Sequence, residues 1–256
     1  MMNKDFDPRI ANVYFIETFG AFDGPGIRYV LFLQGCMLRC KFCHNRDSWS
    51  TDTNRLMSVD EILADYDKYK TFYRKGGITV SGGEATLQLP FLIELFKECK
   101  KRGIHTTLDT SAGLYNKKNL AIYEELFKYT DLILLDIKHI DNEKHIDLTG
   151  VPNTHILEFA QLLSQKSIPT VLRCILLPTI NADDETLHRL RSFIDTLTNV
   201  SGIDVLPYHK KGIMKWEKMG LTYPIPEIEE PSKELVKHAE DILKNGYQFA
   251  DFDDKD

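Results

Sequence analysis

No apolar run in this chain can cross a bilayer: the longest, such as 132–135 and 175–177, fall far short of the ~20 residues a spanning helix needs. The opening MMNKDFDPRIANVYF carries charge and no apolar segment, so no signal peptide is expected, and a cytoplasmic location is. Basic charge is not in excess, with 32 Lys and Arg against 38 Asp and Glu and no basic run, which argues against non-specific nucleic-acid binding. No nucleic-acid or membrane partner is expected, and the chain is expected to be monomeric. Repeats of fixed period and low-complexity linkers are also missing. One domain is therefore expected over 1–256, with a core at about 13–210, a last helix at about 232–246 and a short acidic tail. Cysteine is scarce, at five residues, and in a reducing compartment a tight cysteine group holds metal more readily than disulfides.

What is present is a regular alternation. Residues 27–33 (IRYVLFL) read as a strand after the turn residues of DGPG at 23–26. Strands follow at 78–80, 105–108, 132–137, 170–177 and 203–206, and helices at 58–73, 89–101, 120–128, 155–165, 184–197 and 233–243. Ser58 followed by Glu61 has the form of a capping box. Strands alternating with helices imply βαβ units and a parallel sheet. Six such units fill 27–207, fewer than a closed eight-stranded barrel requires. The expected fold is an α/β incomplete barrel, with a doubly wound sheet as the alternative. In both, ligands bind at the C-terminal ends of the strands. Unusual polar residues gather there: Cys36, Gly82-Gly83-Glu84, Asp109-Thr110, Asp136 with Lys138, Arg173 and His209.

Cys36, Cys40 and Cys43 pack three thiols into eight residues of one loop. Thiolates are the usual ligands of iron–sulfur clusters, and a four-iron cluster with three of them keeps one iron open to an external molecule. S-adenosylmethionine, with an amine and a carboxylate at one end, can chelate that iron. Cys99 and Cys174 lie in a helix and a strand and are read as packing residues. The alternative is structural zinc on Cys36, Cys40, Cys43 and His44, although adjacent Cys43 and His44 aim poorly at one ion.

The spacing C-x3-C-x2-C with Phe42 before the last cysteine resembles the radical S-adenosylmethionine (SAM) enzymes. DGPGIR at 23–28, QGC at 34–36, CHN at 43–45, SGGEATLQ at 81–88, LDT at 108–110, LLDIK at 134–138 and LPYH at 206–209 narrow the resemblance to the glycyl-radical-enzyme activases. It runs from about residue 13 to the last helix. The resemblance implies an incomplete (β/α)6 barrel, a [4Fe-4S] cluster and SAM. It further implies abstraction of hydrogen from a backbone glycine of a partner enzyme, with methionine and 5′-deoxyadenosine as products. Only residues 45–57, without cysteine, separate the cluster loop from the next helix, which favours the single-cluster branch acting on pyruvate formate-lyase. Activation of another glycyl radical enzyme is the alternative, and a flavodoxin or ferredoxin is the implied electron donor.

By the same resemblance Phe42, Cys43, His44, Asn45, Gly82, Gly83, Glu84, Asp136, Ile137, Lys138, Arg173 and His209 contact the cofactor. Lys138 is placed near its carboxylate or ribose. Asp109, Thr110 and Asp136 are implied to hold a monovalent cation, and Asp23 and Arg28 to meet the incoming peptide. The family's DTNG after the third strand is here DTSAG at 109–113, with one residue more and no Asn.

Overall fold

A computed structural model describes residues 7–249 of the protein; the acidic tail lies outside them. One sheet of eight strands forms the frame, in the order β3-β1-β2-β4-β5-β6-β7-β8. The strands are β1 (Ile10–Gly20), β2 (Arg28–Leu33), β3 (Arg55–Ser58), β4 (Gly77–Gly82), β5 (His105–Thr110), β6 (Leu132–Asp136), β7 (Thr170–Leu176) and β8 (Val200–Pro207). From β2 to β8 all neighbours pair in parallel. These are the six strands expected from the sequence. The end strands β3 and β8 do not pair, so the barrel stays open on one side.

The helices are α1 (Val59–Asp67), α2 (Leu89–Lys101), α3 (Leu120–Phe127), α4 (Asn142–Thr149), α5 (Thr154–Gln165), α6 (Asp184–Ile194), α7 (Ile213–Lys218) and α8 (Lys233–Lys244). The Ser58–Glu61 capping box forms at the start of α1. That helix stops at Asp67 rather than running to residue 73, and a short 3-10 turn at Lys70–Phe72 follows.

Strand alternation sorts the side chains. Tyr29, Leu31, Ile78, Val80, Leu108, Ile133, Leu135, Leu172, Cys174, Ile203 and Val205 point out beneath the helices and form the main core, which also takes in Cys99. The opposite face lines the barrel. It carries Arg28, Thr79, Ser81, Asp109, Asp136, Arg173 and Asp204 alongside a small apolar group of Leu132, Leu134 and Val171. Polar groups line a space that apolar groups wrap, so the barrel is built to receive something polar.

Two strands escape the sequence reading. β1 and β3 pair antiparallel with each other, and β1 with β2, extending the sheet at one edge. The open side lies between this edge and β8. A cavity of about 790 Å³ there is lined by Phe22, Gly24 to Ile27 and Ser201 to Leu206.

Candidate functional site

The loop after β2 carries the three cysteines. Its backbone is tied down from both sides: Arg39 N and Lys41 N donate to Thr149 O and Leu148 O at the end of α4, and Gly35 N donates to Ser48 O. Cys36 and Cys40 are 7% and 8% exposed, and Cys43 is half-buried. All three line one cavity of about 190 Å³, with Phe42, His44, Asn45, Gly82, Gly83, Glu84, Asp109, Thr110, Asp136 and Lys138 around it. Burial pushes the Cys36 and Cys40 thiols up to about 12. Cys43 is also raised by burial, and the Trp49 indole pulls the other way. Free thiols here are protonated, so ligation to a metal must release protons.

Gly82 and Gly83 line the same cavity and pack directly beside the cysteine loop. A Cβ on Gly83 would come within 2.3 Å of Gly35 O and 2.9 Å of Cys36 Cβ. Gly82 has φ +140, and a Cβ there would lie 2.3 Å from Leu33 O. Only glycine lets this turn stand against the cysteine loop. Gly83 N donates to Leu33 O at 2.9 Å and Glu84 N to Gly35 O at 2.8 Å, which stitches the two segments together.

Glu84 lines the cavity, but its carboxylate is fully engaged. Oε1 accepts from Thr86 N, Thr86 Oγ1 and Thr110 Oγ1 at 3.1, 2.6 and 2.5 Å. Oε2 accepts from Ser111 N and Ser111 Oγ at 3.0 and 2.5 Å. Its side chain thus braces the end of β4 against the end of β5 rather than reaching for a ligand.

Lys138 is buried, and its Nζ meets Asp136 Oδ2 at 2.9 Å and lies 5.5 Å from the Phe42 ring centre. Burial alone would lower the Lys138 pKa, yet the Asp136 carboxylate outweighs it and holds the lysine above its usual value and charged. The two do not share a strand, as the sequence implied: β6 ends at Asp136, and Lys138 meets it from the loop beyond.

The implied cation ligands are in the cavity but each is occupied. Asp109 accepts from Ser81 Oγ at 2.7 Å and pairs with Arg173 at 3.4 Å. Burial pushes Asp109 up to about 6 against the pull of Arg173. Thr110 Oγ1 is turned to Glu84 and Asp136 to Lys138. A cation would have to displace these partners.

Other expected contacts stand apart. Ile137, Arg173 and His209 do not line this cavity. His209 stacks on His44, with ring centres 3.9 Å apart and planes 13° apart, and accepts His44 Nε2 on its carbonyl at 2.9 Å. Among the described residues no group of three or more His, Cys, Asp or Glu is set around a single metal ion, whereas a polynuclear cluster needs its ligands spread wider. Asn45 Oδ1 accepts from Lys215 Nζ at 2.9 Å.

Arg28 corrects the sequence reading outright. It is 0% exposed and donates to Thr79 Oγ1, Pro25 O and Ile78 O at 2.5, 3.0 and 2.8 Å, with His105 at 3.3 Å. Burial lowers its pKa to about 10. It anchors the 23–28 turn from inside and presents nothing to a peptide. Asp23 is partly exposed, its carboxyl raised by burial against the pull of Arg173 and Arg28.

The model of the radical SAM superfamily matches residues 30–190. The chain is 47% identical over 249 residues to the pyruvate formate-lyase-activating enzyme of Staphylococcus epidermidis, covering 95% of this chain and 96% of that one. The same enzyme of Staphylococcus aureus matches at 47% over the same shares. The chain belongs to the pyruvate formate-lyase-activating family of the radical SAM superfamily. Among solved structures, a domain of pyruvate-formate lyase-activating enzyme from Bacteroides vulgatus superposes with a TM-score of 0.55 at 29% identity, over 66% of this chain and 93% of that one. Streptococcus suis SuiB bound to its precursor peptide SuiA shares the fold, with a TM-score of 0.61 at 19% identity over 82% of this chain and 44% of that one.

For a radical SAM enzyme the donor set fits its cofactors: three thiols, a glycine turn packed beside them and a charged lysine line one cavity. Two contributors were not read from the sequence. Ser111 holds Glu84, and Trp49 donates to Cys43 Sγ at 3.2 Å. Trp49 is one of only two tryptophans and sits six residues past the last cysteine of the loop, which was the available signal.

Proposed function

We propose that the protein uses a [4Fe-4S] cluster on Cys36, Cys40 and Cys43 to cleave SAM and take a hydrogen atom from a backbone glycine of pyruvate formate-lyase. The observation that carries this is the convergence of the three thiols, the Gly82-Gly83 turn and the Lys138–Asp136 pair on one cavity. Held by Cys36, Cys40 and Cys43, such a cluster would supply the one electron for reductive cleavage of SAM to methionine, with the glycine hydrogen ending on 5′-deoxyadenosine.

The chain's own residues hold and shield that chemistry. Three thiolates rather than four would leave one iron of such a cluster for the substrate's amine and carboxylate. Gly82 and Gly83, packed without side chains against the cysteine loop, set bare backbone at the cavity wall beside the cluster ligands, where an amine can meet it. Lys138, kept charged by Asp136, offers a cation to a carboxylate or ribose, and Phe42 a ring face to the adenosyl group. The open side between the β1 edge and β8 gives a protein loop a path to the barrel interior. No helix among the described residues is long and apolar enough to cross a membrane. Five free cysteines fit work in the reducing cytoplasm, as a monomer that draws its electron from a flavodoxin or ferredoxin.

Anaerobic reconstitution with iron and sulfide, reduction and addition of SAM should release 5′-deoxyadenosine. With purified pyruvate formate-lyase, a glycine-centred EPR signal should appear on the partner. Release of 5′-deoxyadenosine without that signal would refute the choice of partner, and a signal on another glycyl radical enzyme would replace it.

A further inference from the structure

Trp49 ends the 3-10 turn Arg46–Trp49, and its Nε1–H points at the sulfur of Cys43, 3.2 Å away. The indole is 8% exposed, so the bond lies largely out of water, where it is electrostatically stronger. Two guanidinium groups lie over its ring, Arg46 at 4.0 Å and Arg39 at 4.8 Å from the centre. A cation over an indole face draws on its electron density and makes the N–H a better donor. Arg39 is itself fixed to the cysteine loop through Cys36 O and Leu38 O at 2.9 and 2.7 Å. The second tryptophan supplies a built-in contrast. Trp216 packs edge-on against Trp49 at 5.6 Å, but its Nε1–H donates to Cys43 O, at 2.9 Å, and not to the sulfur.

We propose that Trp49 is a positioning residue that raises the reduction potential of the cluster through its hydrogen bond to Cys43. Reduction adds one negative charge to the cluster and its thiolates, so a donor aimed at a ligand sulfur stabilises the reduced form more than the oxidised one. Hydrogen bonds to the sulfurs are among the features that set such potentials. The inference rests on the cluster reading above and deepens it.

The test is an EPR-monitored potentiometric titration of the reconstituted wild type, Trp49→Phe and Trp216→Phe, without SAM, with iron and sulfide measured on each. Trp49→Phe keeps a ring beneath the guanidiniums but removes the N–H together with part of the indole's bulk, and Trp216→Phe controls for the bulk. It should lower the reduced-to-oxidised ratio about tenfold at a fixed donor potential, equal to about 59 mV for one electron. Trp216→Phe should leave the ratio where it was. A Trp49→Phe cluster with unmoved potential overturns the inference. So do equal shifts in the two variants, which report lost aromatic bulk. If Trp49→Phe holds no cluster, the indole nitrogens of the wild type and Trp216→Phe are labelled with 15N and the reduced cluster examined by pulsed EPR. A nitrogen coupling that persists in Trp216→Phe supports the bond, and its absence overturns it. A wild type that takes up no iron would instead sink the cluster reading, and this inference with it.

Discussion

Replacing Glu84 with Gln changes one oxygen to an amide nitrogen and leaves the shape alone. Five donors face that carboxylate, so the NH2 must point at some of them. Set at Oε1 it meets three: Thr86 N–H, Thr86 Oγ1–H and Thr110 Oγ1–H. Set at Oε2 it meets two, and the Ser111 hydroxyl can rotate to accept from it, while the Ser111 backbone N–H cannot. The second orientation therefore costs less. It loses one charge-assisted bond, worth about 1.5–3 kcal/mol, and leaves a buried N–H without an acceptor. A net loss of about 3 kcal/mol follows, a fall in Tm of about 6–12 °C for a domain of this size.

The assay is thermal unfolding of the metal-free protein, with a double-mutant cycle through Thr110→Val. In the second orientation the new amide still accepts from Thr110 Oγ1 but without the charge, so the two losses should be non-additive by about 1 kcal/mol. Because Glu84 N and Gly83 N also tie the turn to the cysteine loop, the variant should raise the KM for SAM. A Tm within 2 °C of wild type, or strict additivity with Thr110→Val, would refute the bracing role.

Arg28→Lys loses the fork that holds Thr79, Pro25 and Ile78 and should cost about 3 kcal/mol or more in denaturant unfolding, with the KM for the protein substrate unchanged in the folded fraction. Gly83→Ala drives a Cβ into the backbone of Gly35 and should abolish iron uptake on reconstitution; full iron content would contradict the close packing. Alanine at Cys36, Cys40 or Cys43 should each prevent cluster assembly, whereas Cys99→Ala and Cys174→Ala should retain iron at a modest loss of stability. Burial depresses His145 to about 4 from 6.5, so the unfolded chain takes up a proton that the native state refuses. This leaves stability untouched above pH 6.5 and lowers it as pH falls towards 4, by up to about 3 kcal/mol; His145→Asn should flatten the slope by about 1.4 kcal/mol per pH unit in denaturant titrations.

The parallel barrel was legible because its strands are buried on the helix side and read as apolar runs. β1 was not, since it lies at the open edge, where Phe15 and Phe19 are half-exposed and Thr and Glu interrupt the pattern. α4 hid for the opposite reason: it buries His145 and Thr149 beside Leu148, so its inner face is polar and shows no apolar period. In the site, the cysteine spacing was legible because all three ligands come from one local loop. The charged residues were harder. Glu84, Arg28 and Lys138 each stand at a strand end or turn, where residue type alone allows a ligand or an internal partner. For Glu84 and Arg28 the decision rests on residues distant in sequence. Ser111 and Thr110 take Glu84, and Ile78 with Thr79 takes Arg28. A barrel that admits a polar molecule needs charges pointing inward, and inward charges left without partners are costly to bury. Most of them must therefore be paired with one another before any ligand arrives. It follows that in such a site the backbone of glycines and the ligand sulfurs are freer to meet substrate than most of the acidic and basic side chains around them.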